Sequence, residues 1–118
     1  MPFKFEKLEI WKLAIVFADE VHLITRKFPK EELFSLTSQF KRAADSISLN
    51  ISEGSIGQSD AQQIKFMGYA IRSLAECITC LHLAQRRGYI SEGEFTSFYK
   101  RSETLFAKMN RFKSSLRG

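Results

Sequence analysis

The chain has few of the residues that interrupt regular structure. Two prolines and six glycines among 118 residues favour long, unbroken elements over a loop-rich fold. No Val/Ile/Thr-rich alternation of the kind a strand requires is visible, which argues against a sheet. No apolar run approaches the roughly 20 residues that span a bilayer. Met1-Pro2-Phe3-Lys4-Phe5 carries neither the apolar stretch nor the small-residue cleavage site of a signal peptide. The expectation is a cytoplasmic protein. Histidines are limited to His22 and His82, and cysteines to Cys77 and Cys80. That leaves little material for metal or nucleophilic chemistry.

Apolar residues are plentiful. They make up 44% of the chain, eleven of them Phe, which excludes disorder and supplies one core. At this length the expectation is a single domain over residues 1–118. Four helical segments follow from 3.6-residue periodicity, over about 7–27, 36–53, 60–87 and 92–116. In the first, Ile10, Leu13, Phe17, Val21, Ile24 and Phe28 form one row, and Trp11, Ala14, Ile15 and Ala18 a second. Val16 and Leu23 interrupt its remaining polar face. A helix apolar around so much of its circumference is buried on more than one side, so Val16 and Leu23 are expected to meet another copy of the chain.

The other segments announce their ends. Ser35 is expected to cap the second helix, and Gly54 to end it in the left-handed conformation. Ser59 with Gln62 matches a capping box at the third. Ser91 with Glu94 does so at the fourth, where Ile90 and Phe95 are placed as a hydrophobic staple. Links this short favour antiparallel neighbours. The fold class is therefore all-α, an up-down-up-down antiparallel four-helix bundle.

Candidate chemistry is thin. Cys77-Ile78-Thr79-Cys80 matches a redox or metal motif in letters only. A redox CxxC draws its low thiol pKa from a helix N-terminus, whereas this one lies deep inside the third helix. A zinc site needs about two further ligands. Core cysteines, with His22 and His82 on helix flanks, are the plainer reading. No G-x-S-x-G appears, the glycines at 54 and 57 lack the Lys-Ser/Thr tail of a phosphate loop, and no Glu-x-x-His pair is present for a di-iron bundle. We expect no catalytic residues, no metal and no cofactor.

Charge is distributed unevenly. Residues 1–99 hold as many acids as bases. From Lys100 onward, Lys100, Arg101, Lys108, Arg111, Lys113 and Arg117 face Glu103 alone, so the whole formal charge of +5 belongs to the last helix. A basic stripe is the electrostatic footprint of a nucleic-acid surface. Lys100, Arg101, Lys108, Arg111 and Lys113, with Arg86 and Arg87, are the candidate phosphate contacts. The alternative is a solvated helix whose bases offset its dipole.

The second helix carries an unusual polar ladder: Gln39, Arg42, Ser46, Asn50 and Glu53 recur at 3–4-residue steps. A ladder rich in Gln, Ser and Asn suits a polar seam between helices. Arg42, Glu53 and Glu76 are expected to form a buried network that fixes register.

Around that ladder, Gln39-x-x-Arg42-Ala43-x-x-Ser46-x-x-x-Asn50-Ile51-Ser52-Glu53-Gly54 resembles a known family. It is that of the small bacterial four-helix-bundle proteins encoded within intervening sequences of 23S ribosomal RNA genes, also labelled S23 ribosomal proteins. Phe5-Glu6-Lys7-Leu8 leading to Trp11 resembles the family's opening. Phe66, Tyr69-Ala70 and Ser73-x-x-Glu76 resemble its third helix, and Gly88-Tyr89-Ile90-Ser91 its last turn. Ser52 departs from the usual Ala, and Arg72 stands where a Gly often precedes the Ser, which would crowd a close helix approach. The resemblance implies an all-α bundle without known catalytic activity that assembles as a homopentamer. A similar protein is the accessory subunit of diversity-generating retroelements, engaging nucleic acid and a reverse transcriptase through a basic surface. The expected function is therefore a non-enzymatic homo-oligomer that binds RNA or DNA through phosphates. The alternative is a protein scaffold, such as an accessory to a reverse transcriptase or a ribosome-associated partner. No membrane partner is expected.

Overall fold

The computed structural model describes residues 3–116. Arg117, counted above into the basic end, lies outside the described residues, as do Met1, Pro2 and Gly118. Four helices form: α1 (Glu9–Ile24), α2 (Leu36–Ser55), α3 (Asp60–Arg86) and α4 (Glu92–Ser115). Short 3-10 turns occupy Lys4–Lys7, Thr25–Lys27 and Lys30–Glu32.

Side-chain links fix the topology. His22 meets Asp45 between α1 and α2, and Ser46 meets Ser73 between α2 and α3. His82 packs on Phe95 between α3 and α4. Lys27 bonds Glu94 while Lys108 bonds Glu9 at the opposite end, so α4 returns antiparallel along α1. This is the expected up-down-up-down bundle, 43 × 24 × 23 Å. Its length matches a helix of about 27 residues at roughly 1.5 Å per residue.

The core follows the periodic stripes. Leu36, Phe40, Ala44, Ile47 and Ile51 of α2 are all buried, as are Met67, Ala70, Leu74, Cys77 and Leu81 of α3. Phe98, Ser102, Leu105 and Met109 supply the α4 side. Ser102 tolerates burial because its hydroxyl donates to the Phe98 carbonyl at 2.8 Å.

Several helix ends differ from expectation. The first helix begins not at residue 7 but after Leu8, whose extended backbone separates the Lys4–Lys7 turn from α1. The turn folds back so that the Phe5 ring packs on Trp11, centroids 5.4 Å apart. Ser35 does occupy the N-cap of α2, yet its side chain makes no cap bond. Glu32 does the capping instead: its Oε1 accepts from the Leu36 amide at 3.3 Å and from the Ser35 hydroxyl at 2.8 Å.

Gly54 is not a left-handed terminator. It lies inside α2, and Gly88 is the one described glycine with positive φ, at 77°. Gly54 is there for space, because a Cβ on it would sit 2.8 Å from the Phe66 Cβ of α3. Gly88 ends α3, with Tyr89 N–H donating to Ala84 O and Gly88 N–H to Gln85 O, a Schellman pattern. Of the two capping boxes, Ser91/Glu94 forms in full. At Ser59 only the hydroxyl half is made, accepting from the Gln62 amide.

Candidate functional site

The cations assigned to one basic face do not share one face. At 100° per residue, Lys100 and Arg111 lie on the same outward line of α4, three turns and roughly 16 Å apart. Both are exposed and neither makes an ion pair. Lys113 lies on the α3 side, where a Cβ placed on Gly68 would come within 3.9 Å of its Nζ. Arg101 and Lys108 turn the other way, toward α1. Arg101 pairs with Glu20, and its guanidinium lies 4.6 Å from the Phe98 ring centroid. Burial there lowers its pKa, without threatening its charge. Lys108 pairs with Glu9 at 3.2 Å.

Arg87 is also committed. It donates to Glu32 Oε2 at 3.1 Å, beside the Tyr89 hydroxyl at 2.7 Å. The Tyr89 hydrogen bond, then that from Ser35, holds the Glu32 carboxyl below the usual carboxylate range. The same bond raises the Tyr89 phenol. Of the seven expected phosphate contacts, then, Lys100, Arg111, Lys113 and Arg86 remain without an acidic partner, while Arg101, Lys108 and Arg87 stitch the bundle together.

Two cations of α3 join the surface from outside the set expected from sequence. Lys65 and Arg72 flank the Tyr69 ring, at 6.0 and 5.9 Å from its centroid. They lie one turn to either side of Gly68 and hence of the Lys113 amine. The 65-69-72 spacing puts all three on one helix face, a signal present in the sequence but not in the net charge, because acids elsewhere on α3 balance these cations. Arg72 is exposed and does not crowd the helix contact.

The polar ladder is only partly a seam within the chain. Ser46 and Asn50 are half-buried, and Asn50 Nδ2 donates to Ser46 O at 2.8 Å and to its Oγ at 2.9 Å. The Ser73 hydroxyl completes this cluster by donating to Ser46 Oγ at 3.0 Å. Gln39, Arg42, Glu53 and Glu76 are exposed, and no Arg42–Glu53–Glu76 network forms. α2 and α3 meet instead through Ser46 and Ser73 at the middle of the ladder, and through Gly54 against Phe66 at its end.

On α1, Val16 and Leu23 are exposed at 55% and 61%. Leu13 and Val16 border an open groove of about 280 Å³ between α1 and α4, with Phe17 and Leu105 in its walls and Glu20 and Arg101 along it. Leu23 borders its continuation toward Lys27 and Glu94. The groove exists because α4 touches α1 far less than α3 touches α2.

The model of the 23S rRNA-intervening sequence protein family matches residues 6–111. The chain belongs to that family. Among solved structures, it is similar to a protein of unknown function from the S23 ribosomal protein family of Bacteroides thetaiotaomicron. The TM-score is 0.82 at 23% identity, covering 89% of this chain and 95% of that one. Identity that low establishes the shared bundle and nothing more. No curated protein matches the chain.

In this member of the 23S rRNA-intervening sequence family the CxxC is core material. Cys77 and Cys80 are free and buried. Burial pushes the Cys80 thiol up to about 11, and the Cys77 thiol further still. Both are protonated at neutral pH and lack the thiolate that metal binding or nucleophilic attack requires. His22 acquires a partner that its position in sequence did not reveal. Its Nε2 lies 2.9 and 3.1 Å from the two Asp45 oxygens. His82 packs edge-on against Phe95 and Tyr99. No His/Cys/Asp/Glu group with metal-site geometry occurs among the described residues, and no helix is long and apolar enough to cross a membrane.

Proposed function

We propose that this chain is a non-enzymatic, cytoplasmic, homo-oligomeric bundle that holds RNA or DNA by its phosphates. The observation that carries the reading is the presence of two kinds of unfilled surface, one apolar and one cationic. An apolar stripe of Leu13, Val16 and Leu23 on α1 has no partner in the chain and serves as the contact between copies. Lys113, Lys65 and Arg72 on the α3 side, beside the exposed Tyr69, and Lys100 and Arg111 on the outward line of α4 have no acidic partners. Uncompensated cations give affinity without reading sequence, and aromatic rings add base stacking on single strands. Oligomerisation repeats the cationic surface and so multiplies its effective concentration. The implied pentamer is one such assembly.

The test is affinity for a short single-stranded RNA as a function of salt. Each phosphate contact contributes about −0.7 to the slope of log K on log salt for a single strand. Lys100→Glu with Arg111→Glu is expected to flatten the slope by at least about 1.4 and to weaken binding throughout. Lys108→Glu, which removes a cation already paired with Glu9, has the smaller effect. Binding indifferent to salt rejects the reading.

A second reading, a scaffold for a protein partner, is favoured by Phe34, Leu49 and Ile56, exposed at 91%, 64% and 63% away from the groove. RNA binding that survives intact in Leu49→Asp, alongside loss from the α4 reversals, decides against it.

A further inference from the structure

A cavity of about 370 Å³ opens at the corner where α1 passes into α2, far in sequence from the basic helix. Three elements contribute a cation to its lining: Arg26 from the turn after α1, Lys30 from the turn before α2, and Lys41 from α2 itself. None of the three makes an ion pair. The nearby acids are otherwise engaged. Both oxygens of Asp45 face His22, which also lines the cavity, and Glu32 is held by Arg87, Tyr89, Ser35 and the Leu36 amide. Glu31 is exposed and does not line it.

The deciding residue is Thr37. It is only 6% exposed, lines the cavity, and its hydroxyl bonds to nothing in the chain. Buried hydroxyls are otherwise satisfied in this protein, as Thr25 is by the carbonyls of Val21 and His22, and Ser102 by that of Phe98. Thr37 is also the second residue of α2, a 20-residue helix whose N-cap side chain makes no bond to the helix. Glu32 takes the Leu36 amide, and Ser35 O takes that of Gln39. The amides of Thr37 and Ser38 are left with no acceptor. Free amides at a helix start present partial positive charge to an anion.

An unpartnered hydroxyl on a buried residue and three unpaired cations line one cavity beside a helix start with two free amides, and together they describe a site for an acceptor-rich, multiply charged anion. We propose that this cavity binds a phosphate group, with the Thr37 hydroxyl and the α2 amides as hydrogen-bond donors and Arg26, Lys30 and Lys41 neutralising its charge. The donor set fits free phosphate, a nucleoside monophosphate or the terminal phosphate of a nucleic-acid strand. The site does not rest on the α4 surface proposed above, and it gives the bundle a second, better-defined contact with phosphate chemistry.

The test is a titration of the full-length chain, isotopically labelled and in low-salt buffer, with inorganic phosphate and then with adenosine 5′-monophosphate. Saturable shifts of the Thr37 and Ser38 amide resonances are expected. Thr37→Val keeps the shape and removes the hydroxyl, and it is expected to weaken binding about tenfold. Lys41→Gln, on a half-buried side chain that bonds to nothing, does the same independently should the valine variant fold poorly. Tighter binding of the nucleotide assigns a nucleotide or strand end as the occupant, and equal binding assigns free phosphate. A short RNA bearing a 5′-phosphate, compared with its 5′-hydroxyl twin, then separates strand ends from nucleotides. Lys100→Glu with Arg111→Glu leaves the phosphate titration unchanged, so failure at either surface is read separately. Absence of saturable shifts at Thr37 and Ser38, or shifts of equal affinity in Thr37→Val and Lys41→Gln, overturns the proposal.

Discussion

Gly54 and Gly68 look alike in the sequence, and the structure gives them opposite consequences. Alanine is better than glycine in a helix by about 1 kcal/mol. At Gly68 that gain is available, because a new Cβ meets only the end of Lys113 at 3.9 Å. At Gly54 the Cβ meets the Phe66 Cβ at 2.8 Å and the α3 backbone at 3.4 Å, neither of which swings away. Overpacking of this kind costs about 1–3 kcal/mol. Gly68→Ala is expected to raise the urea midpoint and Gly54→Ala to lower it, with the far end of the bundle unaffected.

Glu32 yields a second residue-scale prediction. Its carboxylate gathers four donors, from Tyr89, Ser35, Arg87 and the Leu36 amide, and they hold its pKa below the unfolded value of about 4.3. A carboxylate with a depressed folded pKa stabilises fully above its unfolded pKa, and the contribution is lost as pH falls through the folded one. Glu94, held down first by Lys27, adds to the same limb. Unfolding measured from pH 7 downward should therefore show Glu32→Gln less stable than wild type at pH 7 and converging on it below about pH 4. A constant difference across that range would mean the carboxylate's charge is immaterial.

At the scale of the element, helix ends separate what is legible in sequence from what is not. Ser91 and Glu94 sit three residues apart, within reach of each other along the chain, and the box they form could be read directly. Ser91→Ala is expected to cost about 1 kcal/mol in thermal or chemical unfolding. Ser35→Ala should cost less as a cap, since its hydroxyl donates to Glu32 and does not bond α2. Glu32 was not legible because two of its partners, Arg87 and Tyr89, are more than fifty residues away.

The polar ladder of α2 shows the same boundary. Periodicity located the stripe Leu36, Phe40, Ala44, Ile47 and Ile51, all of it buried. It also found the ladder's middle, where Ser46 and Asn50 bond. It could not tell that Gln39, Arg42 and Glu53 fall on the open side of that line. Residue type suggested burial, and the rotation of the helix against α3 decided otherwise. Likewise the stretch from Lys100 onward showed its excess of cations. Which of those cations α1 would consume depended on Glu9 and Glu20, some ninety residues earlier.

The whole molecule poses the question of what covers α1. A single copy leaves Leu13, Ile15, Val16 and Leu23 exposed by 36–61% along one helix, beside an apolar-walled groove that α4 leaves open. Water-exposed apolar stripes of this extent mark contact surfaces. The structure also separates assembly from folding, because Val16 and Leu23 contribute little to the protomer's own core. Val16→Asp with Leu23→Asp should therefore release folded monomers rather than unfolded chains. Light scattering would show the fall in mass, while far-ultraviolet circular dichroism and a single cooperative unfolding transition would show an intact bundle. Leu49→Asp, a substitution of the same kind on an equally exposed leucine of α2, is expected to leave the mass unchanged. Loss of assembly should also lower RNA affinity by more than the two charges alone explain, since it removes the repetition of the cationic surface. A wild-type chain that sediments as a monomer at micromolar concentration would remove the need for a covering partner copy. The α1 stripe would then have to be the seat of a different protein.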